Sequence, residues 1–347
     1  MLPIGVKKMK LIILTKQFGN YTGATISTIE LLKRINNKFN EVEIVTLKSD
    51  GTRIRNVKVN VQKNIFSLLS YLKKESKDPE CIGYSDDHLG FLFSHYGIKY
   101  LHTYHGNWPD ARNQSKSMYL KSLMFIPLYK ATVRKASYVV SVSHYMVERF
   151  LQPLNKNIRV IYNGIKSNNS EETFSKKIGD SNKLRIVMVG NVDGRKYSMA
   201  VKLFEYIENK YINDFSVDVF GQLVDQNIKH ELEQFSFVKL HGSVKKINYH
   251  DFDLFLCTSS SENLPVSIIE SLKNMVPVVS FDVGGIPEVV NQTNGAIIQF
   301  GDIEKMSNVI MNARKLPTEW NNSNLDKFTW DYAAKEYIEI FNNLKKD

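Results

Sequence analysis

Two carboxylates and a helix start fall together in Ser259-Ser-Ser-Glu-Asn-Leu-Pro-Val-Ser-Ile-Ile-Glu270. An apolar run at 254–257 leads into a small polar loop, and Pro265 suits a first helical position, where its missing N–H is not needed. The remaining unpaired N–H groups and the positive helix end suit a phosphate or another anion. Glu262 lies in the loop and Glu270 inside the helix eight residues on, so the pair could hold hydroxyls on either side of a diphosphate. A capped helix with two surface glutamates would look the same from chemistry alone.

Other residue types could also do chemistry. His105 ends Leu101-His-Thr-Tyr-His-Gly106, where an imidazole beside a glycine could act as a general base; His102, within the strand, reads as structural. Gly23 sits in Phe18-Gly-Asn-Tyr-Thr-Gly-Ala-Thr25, a strand–helix turn of a kind that commonly contains glycine. Only two cysteines occur, Cys81 and Cys257, and no Cys/His cluster has zinc-ligand spacing, which favours a reducing, cytosolic compartment. Cys257 lies in an apolar run and reads as a small buried hydrophobe.

These residues need a scaffold. The chain of 347 residues is 43% hydrophobic and 24% charged, which excludes disorder and small disulfide scaffolds and suggests two domains. Strands are expected at 10–14, 43–47, 81–84, 100–104, 138–143 and 159–162. Helical periodicity appears at 24–35 (a stripe of Ile26, Ile29, Leu32 and Ile35), 66–74 and 118–134, the last to be broken or kinked at Pro127. Residues 166–182 are polar without an apolar face and read as a linker. A second series of strands follows at 184–189, 216–220, 238–240, 254–257, 276–280 and 296–300. Strand–helix alternation predicts two α/β, doubly wound parallel sheets, with ligands at the strand C-termini facing a cleft between domains. The N-terminal basic and apolar residues stop short of a signal peptide, and no apolar run is long enough to span a membrane.

Charge is uneven. Residues 1–165 hold 25 Lys and Arg against 11 Asp and Glu, a balance of +14, while 166–347 hold 21 against 25, a balance of −4. A basic first half suggests phosphates, an anionic membrane surface or an acidic polymer, although simple solubility charge would also account for it.

The Glu262–Glu270 spacing matches the Glu-x7-Glu signature of retaining glycosyltransferases of the GT-B fold, and the chain resembles family 4 of these (glycosyl transferases group 1). The likeness extends through Val276-Pro-Val-Val-Ser-Phe-Asp-Val-Gly-Gly-Ile-Pro-Glu-Val-Val290, Asn294-Gly-Ala-Ile-Ile-Gln-Phe-Gly-Asp302 and Arg159-Val-Ile-Tyr-Asn-Gly-Ile165. It is strong over about 138–305 and weaker over 10–137. The resemblance implies two Rossmann-like domains around a central cleft: an acceptor-binding domain at 1–165, the linker at 166–182, a nucleotide-sugar domain at 183–328, and a C-terminal helix at 329–347 returning to the first domain. Tyr332, Ala333, Tyr337 and Ile340 are spaced for one face of that helix.

By the same resemblance Glu270 holds the donor ribose and Glu262 the sugar hydroxyls. Backbone N–H groups of Asn263, Leu264, Pro265 and Val266 would lie near sugar and diphosphate, though Pro265 itself has none to give. Val189-Gly-Asn-Val-Asp-Gly-Arg-Lys-Tyr197 resembles the family's Arg…Lys phosphate clamp, with Lys196 at the lysine. Asn191 stands where an arginine is usual, leaving open whether Arg195 replaces its charge. A fixed cation there stabilises the diphosphate as it departs. Gly23 belongs to the loop whose backbone approaches diphosphate and acceptor. His105 matches the histidine lining the donor-sugar site, and is assigned to positioning because the leaving phosphate takes the acceptor proton. The catalytic set is therefore Lys196, Glu262 and His105. Asp251-Phe-Asp253 has the Asp-x-Asp spacing of a manganese site in the other glycosyltransferase fold, but the family needs no metal. Asp282 and Glu288, in the Gly284–Gly285 turn, read as structural.

The expectation is a metal-independent, retaining hexosyltransferase without a cofactor. It would move a hexose, UDP-linked by family frequency, to a cell-surface glycan, a teichoic-acid-like polymer or a lipid-linked acceptor. The place would be cytoplasmic, at the inner face of the membrane, with peripheral contact to anionic lipid. Residues 112–135 suit such contact: Arg112, Lys116, Lys121, Lys130, Arg134 and Lys135 accompany Met118, Leu120, Leu123, Met124, Phe125 and Ile126. An ordinary helix packed on the sheet would read alike. The rivals are a nucleotide-sugar epimerase, a catalytically silent glycan-binding partner subunit, and a glycosyltransferase acting on nucleic acid; no interleaved aromatic–basic motif supports the last.

Overall fold

A computed structural model describes residues 9–113, 115–165, 183–211, 215–313, 316 and 326–346. The expected linker at 166–182 lies outside the described residues. The chain divides into two compact units, Met1–Ser167 with Asp326–Asp347, and Asn168–Leu325.

Unit 1 runs β1 (Lys10–Thr15), α1 (Gly23–Ile35), β2 (Glu41–Thr46), β3 (Lys58–Val61), α2 (Ile65–Glu75), β4 (Cys81–Ser85), α3 (Phe91–His95), β5 (Tyr100–Tyr104), α4 (Trp108–Ala111), α5 (Lys116–Lys135), β6 (Tyr138–Ser141), α6 (His144–Met146) and β7 (Ile158–Val160). Its seven-stranded sheet has the order β3-β2-β1-β4-β5-β6-β7. Unit 2 runs β8 (Leu184–Val189), α7 (Gly194–Tyr211), β9 (Phe215–Phe220), α8 (Gln226–Glu233), β10 (Val238–Gly242), β11 (Leu254–Cys257), α9 (Val266–Lys273), β12 (Val278–Phe281), β13 (Gly295–Ile298) and α10 (Ile303–Met311). Its six-stranded sheet has the order β10-β9-β8-β11-β12-β13. The strand pairs are parallel in both sheets. Both units are doubly wound and Rossmann-like, as the resemblance implied.

Strands covered on both faces read as continuous apolar runs, which is why β1 and β8 stand out in the sequence. The edge strand β3 does not: its Lys-Val-Asn-Val is only partly covered and carries no such signal. α1 begins at a reciprocal capping box between Thr22 and Thr25. Ile29, Leu32 and Ile35 of α1 are buried as expected, but Ile26 is exposed on the first turn. α5 runs unbroken through Pro127, contrary to a break there. The carbonyl that Pro127 leaves without a helical donor belongs to exposed Leu123, where water can replace the lost bond.

α11 (Trp330–Lys346) closes the chain on unit 1. Ala333, Tyr337, Ile340, Phe341 and Leu344 enter the core formed with β1 and α1. Tyr332, expected on that face, is instead exposed, since it stands away from the Ala333–Tyr337–Ile340 stripe. The Tyr337 hydroxyl lies 2.9 Å from Thr103 Oγ1, and Arg159 donates to Glu339 at 3.0 Å. Among the described residues no helix is long and apolar enough to cross a membrane.

Candidate functional site

In unit 2 the sheet winds one way from β8 to β9 and the other way from β11 to β12, so the crevice between β8 and β11 is its topological switch point. The loops leaving these strands carry the charged residues. Hydrogen bonds tie them together: the Ser260 N–H donates to the Arg195 carbonyl at 2.9 Å, and the Thr258 side-chain hydroxyl donates to the Lys196 carbonyl at 2.7 Å.

Across this tie Lys196 Nζ donates to Glu262 Oε1 at 2.7 Å and Arg195 Nη1 donates to the same oxygen at 3.0 Å. Arg195 also donates to the Ser261 carbonyl at 2.7 Å. Burial alone would push the Glu262 carboxyl up, but the Lys196 and Arg195 charges outweigh it and hold the acid below its usual range. Asn191 is exposed, and the second cation reaches the site from Arg195.

Two glycines make this arrangement possible. Gly190 has φ +147°, and a Cβ there would fall 2.5 Å from Lys196 Cδ, so the lysine stem lies over bare backbone. Gly284 has φ +62°, and its Cβ would fall 2.0 Å from the Glu262 carbonyl oxygen. The neighbouring Gly285 N–H donates to the Asn263 carbonyl at 2.6 Å, fixing the loop before α9. A Gly-Gly pair after a strand was the available sequence signal for the second contact.

Asn263 and Leu264 are buried under that loop. Pro265 takes the N-cap rather than the first helical position, because its ψ of 123° is extended and the helix proper starts at Val266. No side chain caps α9 there. Glu270 lies further along α9, and its Oε2 accepts from the Tyr249 hydroxyl at 3.1 Å. Burial and the Glu270 charge push the Tyr249 phenol well up, keeping it a donor. Nothing in the sequence marks this tyrosine. Asp253, the second acid of the Asp-x-Asp pair, is buried and accepts from Arg185 Nε at 3.2 Å and Nη2 at 3.1 Å. No group of side chains suited to a metal ion occurs among the described residues.

Unit 1 has its own switch point, between β1 and β4. There Asp86 is buried and accepts from Thr28 Oγ1 at 2.7 Å. Asp87 accepts from the Lys16 N–H and, at 2.8 Å, from the Leu89 N–H. Burial raises both carboxyls, and the Asp87 charge raises Asp86 further. Two acids directly after a strand were the signal that sequence reasoning passed over.

His105 follows β5, and burial lowers its pKa to about 4, so the ring is neutral. His102 lies inside β5, wholly buried, with Nδ1 2.9 Å from Ser85 Oγ. Gly23 opens α1, and a Cβ there would meet nothing within 4 Å, so the space above it is open. Lys196, Arg195, Glu262 and the start of α9 thus come together in unit 2, with Glu270 on the same helix; Gly23 and His105 belong to unit 1.

The profile of the family described as Glycosyltransferase Family 4 matches residues 21–168, and that described as Glycosyl transferases group 1 matches residues 169–324. The O-antigen biosynthesis glycosyltransferase WbnH of Escherichia coli is 32% identical over 75 residues, 21% of this chain and 22% of that protein. The poly(glycerol-phosphate) alpha-glucosyltransferase of Bacillus subtilis is 31% identical over 186 residues, 46% of this chain and 27% of that protein. The chain therefore spans about a quarter of the length of these curated relatives. Anabaena Alr3699/HepE, solved in complex with UDP and glucose, shares the fold: TM-score 0.73 at 17% identity, covering 96% of this chain and 99% of that one.

Proposed function

Because the chain belongs to the group 1 glycosyltransferases of family 4, we propose that it is a retaining, metal-independent hexosyltransferase using a UDP-hexose. The observation that carries this reading is the pair of cations, Lys196 and Arg195, held on Glu262 beside the uncapped start of α9. Lysine and arginine fixed before substrate arrives need no reorganisation as charge builds on the departing diphosphate. They supply the positive charge that a metal ion provides in other transferases. The α9 N–H groups face the same anion, Glu270 takes the ribose hydroxyls, and Glu262 takes hydroxyls of the hexose. His105, neutral at the end of β5, is a positioning group, and the leaving phosphate accepts the acceptor proton. Binding of UDP and glucose by HepE supports a UDP-linked donor.

The acceptor is a cell-surface glycan, a teichoic-acid-like polymer or a lipid-linked sugar, handled by unit 1 at the cytoplasmic membrane face. Support comes from the relatives that build O-antigen and glucosylate poly(glycerol phosphate), and from α5. Leu120, Leu123 and Met124 of α5 are 66%, 57% and 56% exposed, close to Lys116 and Lys121, rather than packed on the sheet. That mixture suits an anionic surface, where each cation contributes about 1 kcal/mol.

A panel of nucleotide sugars, read by thermal shift and by donor hydrolysis with and without EDTA, tests the reading. A UDP-hexose should raise Tm and be cleaved equally in EDTA, with the α-anomer released first by NMR. Loss of cleavage in EDTA, release of the β-anomer, or no response to any nucleotide sugar would overturn it. Sedimentation with anionic and neutral liposomes at low salt tests the membrane contact, which fails if anionic vesicles bring down no protein.

A further inference from the structure

Unit 1 holds a cavity of ≈ 360 Å³ that the donor reading leaves unused, within the size range of small-molecule sites. Its walls come from α4, α5 and the turn at 147–151, and include Pro109, Arg112, Ile126, Lys130, Arg149 and Phe150. Three of these side chains are cationic, and they reach the cavity from separate elements.

Their partners differ. Arg149 Nε donates to Asp110 Oδ1 at 3.1 Å, and the other oxygen of Asp110 accepts from the Tyr145 hydroxyl. Arg149 is thereby balanced. Arg112 and Lys130 have no carboxylate within ion-pair distance among the described residues; the Arg112 guanidinium instead lies 5.8 Å from the Tyr119 ring centroid. Two unbalanced cations converge on a concavity with apolar walls at Ile126, Pro109 and buried Phe150. Cations lining a concavity with apolar walls focus a positive potential there, which favours an anion. A tetrahedral phosphoryl group presents oxygens in several directions, matching cations that arrive from different walls, whereas a carboxylate presents one planar edge. The guanidinium fork of Arg112 can grip two phosphoryl oxygens at once.

We propose that this cavity binds a phosphodiester carried by the acceptor. The proposal rests on the reading of unit 1 as the acceptor-handling unit and adds the chemical class that it recognises. The diester could belong to a soluble polyol-phosphate chain or to a lipid headgroup.

Calorimetry on the full chain with glycerophosphoglycerol probes the first source, and co-sedimentation with phosphatidylglycerol against phosphatidylcholine vesicles probes the second. The variants are R112Q/K130Q, which keeps side-chain bulk, and K130R, which keeps the charge. Binding of either probe should fall at least tenfold in R112Q/K130Q and survive in K130R, with citrate as a carboxylate control that binds more weakly than the diester. UDP affinity, measured alongside, should be unchanged in both variants, and unaltered hydrogen-exchange protection of β4 and β5 shows that unit 1 is folded in each. Binding of the soluble diester assigns a polyol-phosphate source, and binding to phosphatidylglycerol vesicles alone assigns a lipid source. The proposal is overturned if neither probe binds the unaltered chain, or if R112Q/K130Q binds both as before. Failure of the unaltered chain to bind UDP would instead count against the transferase reading.

Discussion

At the switch point of unit 2, between β8 and β11, two cations share one carboxylate oxygen; at that of unit 1, between β1 and β4, two carboxylates sit side by side under hydroxyl and backbone donors. The topology is the same and the chemistry is opposite. Lys196 and Arg195 are paired with Glu262, with Asp193 4.0 Å from Arg195, and in the proposed reading a diphosphate meets these two cations. Asp86 and Asp87 repel the same ligand and hold their protons more tightly than usual. A doubly wound sheet therefore fixes where a ligand sits, and the residues that follow the central strands fix its charge.

The largest test of that contrast is Lys196→Ala. Removing a preorganised charge aimed at the departing diphosphate should lower turnover by about 10²–10³-fold, with a smaller change in UDP affinity. Arg195→Ala should cost less, because Arg195 is also bound to the Ser261 carbonyl and shares its charge with the loop. If Arg195→Ala proves the more damaging, the two roles are exchanged.

Glu270→Ala comes next. Losing charge-assisted bonds to ribose should weaken UDP binding by about 1.5–3 kcal/mol, tenfold to a hundredfold, while Tyr249 loses its acceptor. Equal UDP affinity in a folded Glu270→Ala protein would remove Glu270 from the site.

The contrast was only half legible in the sequence. Buried parallel strands such as Leu254–Cys257 show themselves by apolar content, and the Glu262–Glu270 spacing and Lys196 carry a family signature, so unit 2 could be read in advance. Edge strand β3 was missed although Val57-Lys-Val-Asn-Val61 alternates apolar and polar residues, because that alternation is only four or five residues long and lacks the continuous apolar run of a buried strand. The Tyr249–Glu270 bond joins two separate segments, which spacing along one segment does not record, whereas the adjacent Asp86–Asp87 pair stood in the sequence directly after a strand and was passed over. Tyr332 and Ile26 show the related limit: a period places a stripe to within a residue or two, and packing decides where its edge falls.

Asp86→Asn asks whether unit 1's acid pair is a structural burden. A carboxyl with a raised folded pKa favours the folded state below its unfolded value and loses that contribution as pH rises through the folded one. At pH 8, above the value of about 7 to which burial raises Asp86, that carboxyl is ionised, and Asn, which can still accept from Thr28, should raise stability by about 1 kcal/mol while leaving UDP affinity unchanged. A loss of UDP binding would break the division of chemistry between the two crevices.

The smallest expected effect is on the acid side, and again separates the units. His102 is wholly buried, and burial lowers its pKa to about 3, against about 6.5 in an unfolded chain. The unfolded chain therefore takes up the proton first, and stability that is constant above pH 6.5 is lost as pH falls from there toward 3. His105, lowered to about 4, acts in the same direction. In unit 2, Glu262 is lowered below its usual value, so its contribution persists until pH falls under about 4.5. Between pH 7.5 and 5.5 Asp86, raised to about 7, takes up its proton and acts in the opposite direction, so the His102 effect, about 1 kcal/mol on unit 1, is read against His102→Gln at each pH. Hydrogen exchange resolved by segment should show β4 and β5 of the unaltered chain falling behind those of His102→Gln over this interval, while β8 and β11 stay alike in the two proteins. Glutamine cannot take up a proton, so the difference isolates His102. An equal difference in both units, or none in unit 1, would mean that acid acts on the molecule through some other group.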